Sequence, residues 1–200
     1  ADDLIVDMFL GNWDVVGNAP NFNIMQMPNG NVIRIDPGGA LIFRAQGGTK
    51  NINEIVFALP NTSEDDSLAK HLLDLGAVVF RGSEMDVVDR FYHAAIKYCA
   101  THIVRICADN PLVAPEEIDR LAHAYSTVLK KGMHSEKLYA FNFGPRKDNN
   151  YPNGLGGEMF SLDLLKRLDE LCTQSQDREH VCSYIWEHPN DYYIHAFKAP

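Results

Sequence analysis

No apolar run in the 200 residues approaches the ~20 consecutive positions of a membrane-spanning helix, which sets a transmembrane role aside. Basic residues are scarce: 18 Lys and Arg stand against 27 Asp and Glu, a formal charge of -9. Binding a polyanion needs a basic surface to neutralise phosphates, so nucleic acid is not an expected partner. Cysteine is scarce too. Cys99, Cys107, Cys172 and Cys182 form no CxxC pair, and zinc sites usually draw on close ligand pairs that pre-organise half of the tetrahedron. The expectation is buried free thiols in a reducing compartment. The opening ADDLIVDMFLG lacks the basic stretch of a signal peptide, so the expected location is the cytoplasm. The missing initiator Met fits a trimmed or partial chain. No internal repeat or low-complexity tract occurs.

What is present is 46% hydrophobic and 22% charged, enough for one good core or for one domain with a partial second. Residues 1–48 are rich in Gly and Asn. There Met25 to Met27 and Asn31 to Ile35 read as short strands joined by a hairpin turn at Pro28-Asn29-Gly30. Ala40 to Ala45 reads as a further strand. After Lys50 the pattern changes. INEIVFAL, Ala77 to Phe80 and THIVRIC read as strands. Between and after them, Ser67 to Leu75, Met85 to Cys99 and Pro115 to Leu129 carry helical spacing. In the first helix Leu68, Leu72, Leu73 and Leu75 form the expected apolar face. In the second, Val87, Val88, Phe91, Ala94, Ala95 and Ile96 point inward.

Strand and helix alternating at this spacing predict an α/β fold, a Rossmann-like and mostly parallel sheet with flanking helices. Leu138 to Phe143 adds a strand, followed by a polar loop from Arg146 to Gly157. Met159-Phe160 leads into a helix over Ser161 to Cys172, capped by Ser161. A last helix is expected over Arg178 to Trp186, and a terminal strand over Tyr192 to Phe197. Ligands of such sheets gather at the carboxyl ends of strands, so the loops at residues 60–66, 81–83 and 108–112 are the ones to watch.

Asp109 directly follows a strand, in ADNPL. A carboxylate there projects over the sheet edge and can hold a divalent metal against a triphosphate; the alternative is a loop Asp capping the next turn. Arg81, Asp89, Arg90 and Arg105 form a second group. The planar fork of Arg suits phosphate or carboxylate, and ordinary ion pairing, Asp89 with a nearby Arg, is the competing use. Arg178, Glu179, His180 and His188 form a third polar cluster.

Four blocks occur in order: FRGSEMDVVDRFYHAA, IVRICADNPLVAPEEIDRL, YPNGLGGEMFS and DREHVCSYIWEHP. Together they resemble the cytidylyltransferase family that includes spore-coat polysaccharide synthesis proteins and relatives of the acylneuraminate and Kdo cytidylyltransferases. The resemblance covers residues 51–200. It implies an enzyme that couples CTP to a sugar with Mg2+, giving a CMP-sugar and pyrophosphate. Asp109 then falls on the family's metal-binding Asp. Arg81, Asp89, Arg90, Arg105 and Glu158 fall on nucleotide- or substrate-binding blocks. A homodimer is expected on the same ground, with Tyr184 to Trp186 and Tyr192 to Phe197 as interface material. Two departures are visible. No loop of the type RxGSxRLPGK precedes Asn51, and the block usually read GLDVE is here Gly154-Leu155-Gly156-Gly157-Glu158, with Gly in the place of Asp.

Residues 1–48 call for a separate reading. Asp14, Asn23 and Asp36 are of the types, and in the order, that a kinase-type site uses for a catalytic Asp and two metal ligands. The alternative is that they serve turns. GNWDVVG, NFNIM and RIDPGG resemble the catalytic and metal-binding loops of HipA-like and phosphatidylinositol-kinase-like proteins. That resemblance implies Asp14 as the catalytic residue, Asn23 and Asp36 as metal ligands, and ATP as substrate. The expected division is thus a kinase-like fragment at 1–48 and a cytidylyltransferase-like α/β domain at 51–200. The leading expectation is a CMP-sugar synthetase; an ATP-dependent phosphotransferase remnant and a non-catalytic interaction protein are the alternatives.

Overall fold

A computed structural model of the chain describes residues 55–107, 115–142, 149–151 and 156–199, with the strands at 23–26, 32–35 and 40–44. The first two strands, β1 (Asn23–Gln26) and β2 (Val32–Ile35), pair antiparallel as the hairpin reading expects, with Asn23 opposite Ile35. The other seven build one sheet: β3 (Ala40–Arg44), β4 (Ile55–Pro60), β5 (Val78–Gly82), β6 (His102–Cys107), β7 (Leu138–Phe141), β8 (Glu158–Ser161) and β9 (Tyr193–Ala196). Their order is β5-β4-β3-β6-β8-β7-β9. The pairs β4–β5 and β7–β9 are parallel, whereas β3 and β8 run against both of their neighbours. Five strands therefore point one way and two the other. Residues 40–44, assigned to the first segment on sequence, lie inside this sheet between β4 and β6.

Among the described residues six helices flank the sheet: α1 (Asp66–Asp74), α2 (Val87–Lys97), α3 (Pro115–Lys130), α4 (Leu162–Leu171), α5 (Ser175–Glu179) and α6 (Ser183–Glu187). Strand side chains alternate between faces, and two cores result. Val56 and Ala58 join Ile103, Tyr139, Phe141 and Phe160 under α2, α4 and α6. Ile55, Phe57 and Leu59 join Val104, Ile106, Leu138, Ala140 and Met159 under α1 and α3. Being covered on both faces, β4 is apolar and buried along its whole length. Each fully buried Leu, Phe or Val side chain contributes roughly 1.5–3 kcal/mol.

Several expectations need correction. Leu73 and Ile96 are 58% and 50% exposed. At 3.6 residues per turn, Leu73 sits about 90° and Ile96 about 140° around its helix from the centre of the buried stripe. Leu75 is exposed because it lies past the last residue of α1, where Gly76 turns the chain away at φ 82. Cys99 is an exposed thiol. The run Glu158 to Ser161 is a strand between β6 and β7, not a mere lead into a helix. The expected last helix is two short ones, separated where Val181 adopts φ 34. Of the residues expected as interface material, some pack inward, while Tyr193 is 44% exposed. Ile185 and Tyr192 are buried, and Trp186 meets Phe141 and Tyr139 edge-on at 5.1 and 5.7 Å.

Candidate functional site

Strands β4, β5, β6 and β7 end at one edge of the sheet, where the antiparallel β8 begins. Pro60 lies beside Gly82, and Glu158 lies between Arg105 and Phe141. The side chains singled out on sequence group along this edge according to their strands.

Arg81, at the end of β5, reaches across to the loop after β4. Its Nε donates to Pro60 O at 2.7 Å, and its Nη2 donates to Thr62 O at 2.6 Å and to Asp66 Oδ1 at 2.9 Å. The chain behind it is tied by Asn61 N, which donates to Gly82 O at 2.8 Å. Arg90, in the first half of α2, is fully buried and donates from Nη1 to Ser83 O at 2.8 Å. Gly82 makes this possible, because a Cβ there would lie 2.9 Å from Arg90 Cγ and 2.8 Å from Phe80 Cε1. Asp89 pairs not with an Arg but with His93, at 3.1 Å one turn along α2. Its backbone N–H is capped by Asp86 Oδ1 at 2.9 Å.

Arg105 and Glu158 meet in the interior. Arg105 Nη1 donates to Glu158 Oε2 at 2.7 Å, and Tyr139 Oη donates to Glu158 Oε1 at 2.7 Å. The pair is buried, with side chains 15% and 7% exposed, and the guanidinium lies over the Phe91 ring at 5.8 Å. Burial opposes the Arg105 charge, yet the acidic neighbours Cys107, Glu158 and Cys182 outweigh it and hold its pKa above the ordinary value. Burial, reinforced by the Glu158 carboxylate, pushes the Tyr139 phenol well up. Both groups keep their hydrogen-bonding protons at neutral pH.

Beside them Asn142 forms a clasp that sequence reasoning did not single out. Its Nδ2 donates to Glu117 O at 2.9 Å, and its Oδ1 accepts from Gly157 N at 2.8 Å. The Tyr151 hydroxyl donates to the Glu117 carboxylate, which also receives Arg120 at 2.8 Å. Burial and this carboxylate push the Tyr151 phenol up to about 12. Arg178 was noted only as part of a polar cluster. It donates from Nε to Asp86 Oδ2, from Nη1 to Asp169 O and from Nη2 to Asp169 Oδ1, each at 2.8 Å. The signal for it was its place in DREHV, whereas Asn142 carried none.

Asp109, Asp14 and Asp36 lie outside the described residues, and of Asn23 only the strand backbone is described. Among the described residues no group of three or more His, Cys, Asp and Glu is placed to hold a metal ion. Glu158, expected as a nucleotide- or substrate-binding residue, accepts a hydrogen bond on each oxygen.

The chain matches the family model described as Cytidylyltransferase over residues 41–199. It is 35% identical over 152 residues to an uncharacterized protein of Methanocaldococcus jannaschii, a match covering 76% of this chain and 57% of that protein. To the spore coat polysaccharide biosynthesis protein SpsF of Bacillus subtilis it is 32% identical over 152 residues, covering 76% and 58%. Among solved structures it resembles a cytidylyltransferase from Leptospira borgpetersenii serovar Hardjo-bovis, with TM-score 0.64 and 26% identity over 74% of this chain and 58% of that one. The chain belongs to the cytidylyltransferase family, a family of nucleotidyltransferases. It spans 57–58% of the length of the curated relatives it matches. The kinase-like reading of residues 1–48 is not confirmed; the family match itself begins at residue 41. No helix among the described residues is long and apolar enough to cross a membrane.

Proposed function

We propose that the protein is a nucleotidyltransferase of the CMP-sugar type, coupling CTP to a sugar for surface polysaccharide or glycan synthesis. The observation that carries this reading is the family match over residues 41–199. The relative named for spore coat polysaccharide biosynthesis supports a sugar acceptor. In the reaction a sugar hydroxyl attacks the α-phosphorus of CTP in line. A new phosphorus–oxygen bond forms, the bond to the bridging oxygen breaks, pyrophosphate leaves, and the hydroxyl proton passes to a base or to water.

The chain's own contribution is a pre-set edge. Arg81 and Arg90 pin the loops after β4 and β5 to the strand ends, so a ligand lying across those ends meets loops that are already ordered. Mg2+ belongs to the proposal as the companion of CTP, and Asp109 is the carboxylate proposed to face it; the described residues support no step through the metal. A homodimer and a cytoplasmic location belong to the same reading.

The test is thermal stabilisation of the purified chain by CTP and by ATP, each with and without Mg2+. A ligand that binds only the folded state at about 100 times its Kd adds roughly 2.7 kcal/mol of stability. The expected result is a Mg2+-dependent shift with CTP alone, lost in Asp109→Ala, followed by pyrophosphate release when sugars are screened. A shift with ATP alone moves nucleotide binding to the first segment. No shift with either nucleotide overturns the proposal.

A further inference from the structure

The edge that carries the proposed chemistry contains one acidic side chain on β8, and the structure gives it a different task. We infer that the β8 segment supplies no ligand to a divalent cation, and that Glu158 is instead the buried counter-charge of Arg105. The inference rests on the cytidylyltransferase reading, under which a carboxylate on this segment would stand beside the nucleotide.

Glu158 comes first. Its two oxygens accept from opposite sides, Oε2 from Arg105 and Oε1 from Tyr139, both at 2.7 Å. A magnesium-like cation takes octahedral oxygen ligands and keeps several of its waters. A side chain 7% exposed, lying against Tyr139 and an Arg that packs on Phe91, leaves no space for that shell. A divalent ion sharing this carboxylate would also stand within a few ångströms of the guanidinium, where like charges repel strongly in a dry interior. Turning Glu158 outward to meet an ion would strand Arg105 without its partner, the expensive way to break a buried pair.

Position 156 is closed as well. A Cβ on Gly156 would lie 2.5 Å from Asn142 Oδ1 and closer still to the Asn142 carbonyl oxygen. Asn142 cannot give way cheaply. Its N–H donates to Gly157 O at 3.2 Å, its Nδ2 donates to Glu117 O, and its Oδ1 accepts from Gly157 N. A carboxylate two residues before Glu158 therefore has no place in this backbone. A cation that arrives with CTP is held by the phosphates and by groups off β8.

The test compares Mn2+ titrations, read by the electron paramagnetic resonance of free Mn2+, with and without CTP. The proteins are the unaltered chain, Glu158→Gln, and the double variant Arg105→Met with Glu158→Leu. Expected are Mn2+ curves equal within twofold for all three. Expected too is a thermal midpoint lowered in Glu158→Gln and recovered in the double variant, since removing both charges removes the unpaired one. Curves that are equally flat support the inference too, because a β8 ligand would give the unaltered chain an uptake that the variants lack. A tenfold or greater loss of Mn2+ affinity in a folded variant overturns it. If the double variant does not fold, Glu158→Gln alone decides. Failure of CTP to bind the unaltered chain would count against the nucleotide reading and would leave the Mn2+ comparison standing.

Discussion

At positions 82 and 156 a hydrogen in place of a Cβ lets another side chain lie across the backbone, and the two sites differ in what is crowded. At Gly82 the neighbours are the Arg90 and Phe80 side chains, at 2.9 and 2.8 Å from the Cβ an alanine would have. Side chains can turn. At Gly156 the nearest atom is a main-chain carbonyl oxygen of Asn142, which cannot move without shifting the end of β7. Overpacking of a side chain costs about 1–3 kcal/mol, so Gly82→Ala is expected near the low end of that range and Gly156→Ala at or above its top. Urea unfolding of both variants measures this; equal losses would show that Asn142 yields as readily as Arg90 does. The sequence marks 156 only as a Gly in the place of an Asp and does not show the crowding there, which comes from a residue 14 positions earlier in the chain.

Among the elements, the helices were the most legible part of the fold. The stripe Val87, Val88, Phe91, Ala94 and Ala95 is buried as its spacing predicts, and Ser161 caps α4 by accepting from Leu164 N at 3.0 Å. Strand β8 was not legible. It is four residues long and begins with an acid, and its identity as a strand comes from partners far away in sequence, Arg105 being 53 positions distant. The same distance hid the Arg105–Glu158 pair: each residue was singled out for the site, yet nothing local brings them together. Arg178 shows how such remote contacts organise helices. It joins Asp86, the N-cap of α2, to Asp169 in α4, across 92 and 9 positions. Charge-assisted hydrogen bonds of this kind are worth about 1.5–3 kcal/mol, and partial exposure of both carboxylates brings the expectation for Arg178→Ala to about 1–2 kcal/mol. Hydrogen exchange locates the loss: faster exchange in the first turn of α2 and the last turn of α4 is expected, with β4 unchanged. Uniform acceleration throughout would show that the clamp supports the whole core.

The whole molecule carries an acid-sensitive contribution from two half-buried histidines. His102 begins β6, and its ring packs edge-on against Tyr125 of α3 at 5.5 Å. Burial lowers its pKa below the ordinary 6.5, against the opposing pull of Asp163. On β9, burial and the charge of Lys131 lower His195 likewise. The two lie at different places in one sheet, so their protonation is felt by a single cooperative unit. In the unfolded chain each imidazole takes up its proton near pH 6.5, and in the folded chain only at lower pH. Below 6.5 the unfolded state therefore binds more protons, and stability rises with pH there. The stabilisation is full above pH 6.5 and is lost as pH falls through the folded values. Expected, then, is a loss of stability between pH 7 and pH 5 that is shallower in His102→Gln, and shallower again when His195→Gln is added. Chemical denaturation at half-unit pH steps measures the slopes. Parallel profiles for all three proteins would show that carboxylates alone set the acid limb, with neither histidine penalised in the folded state.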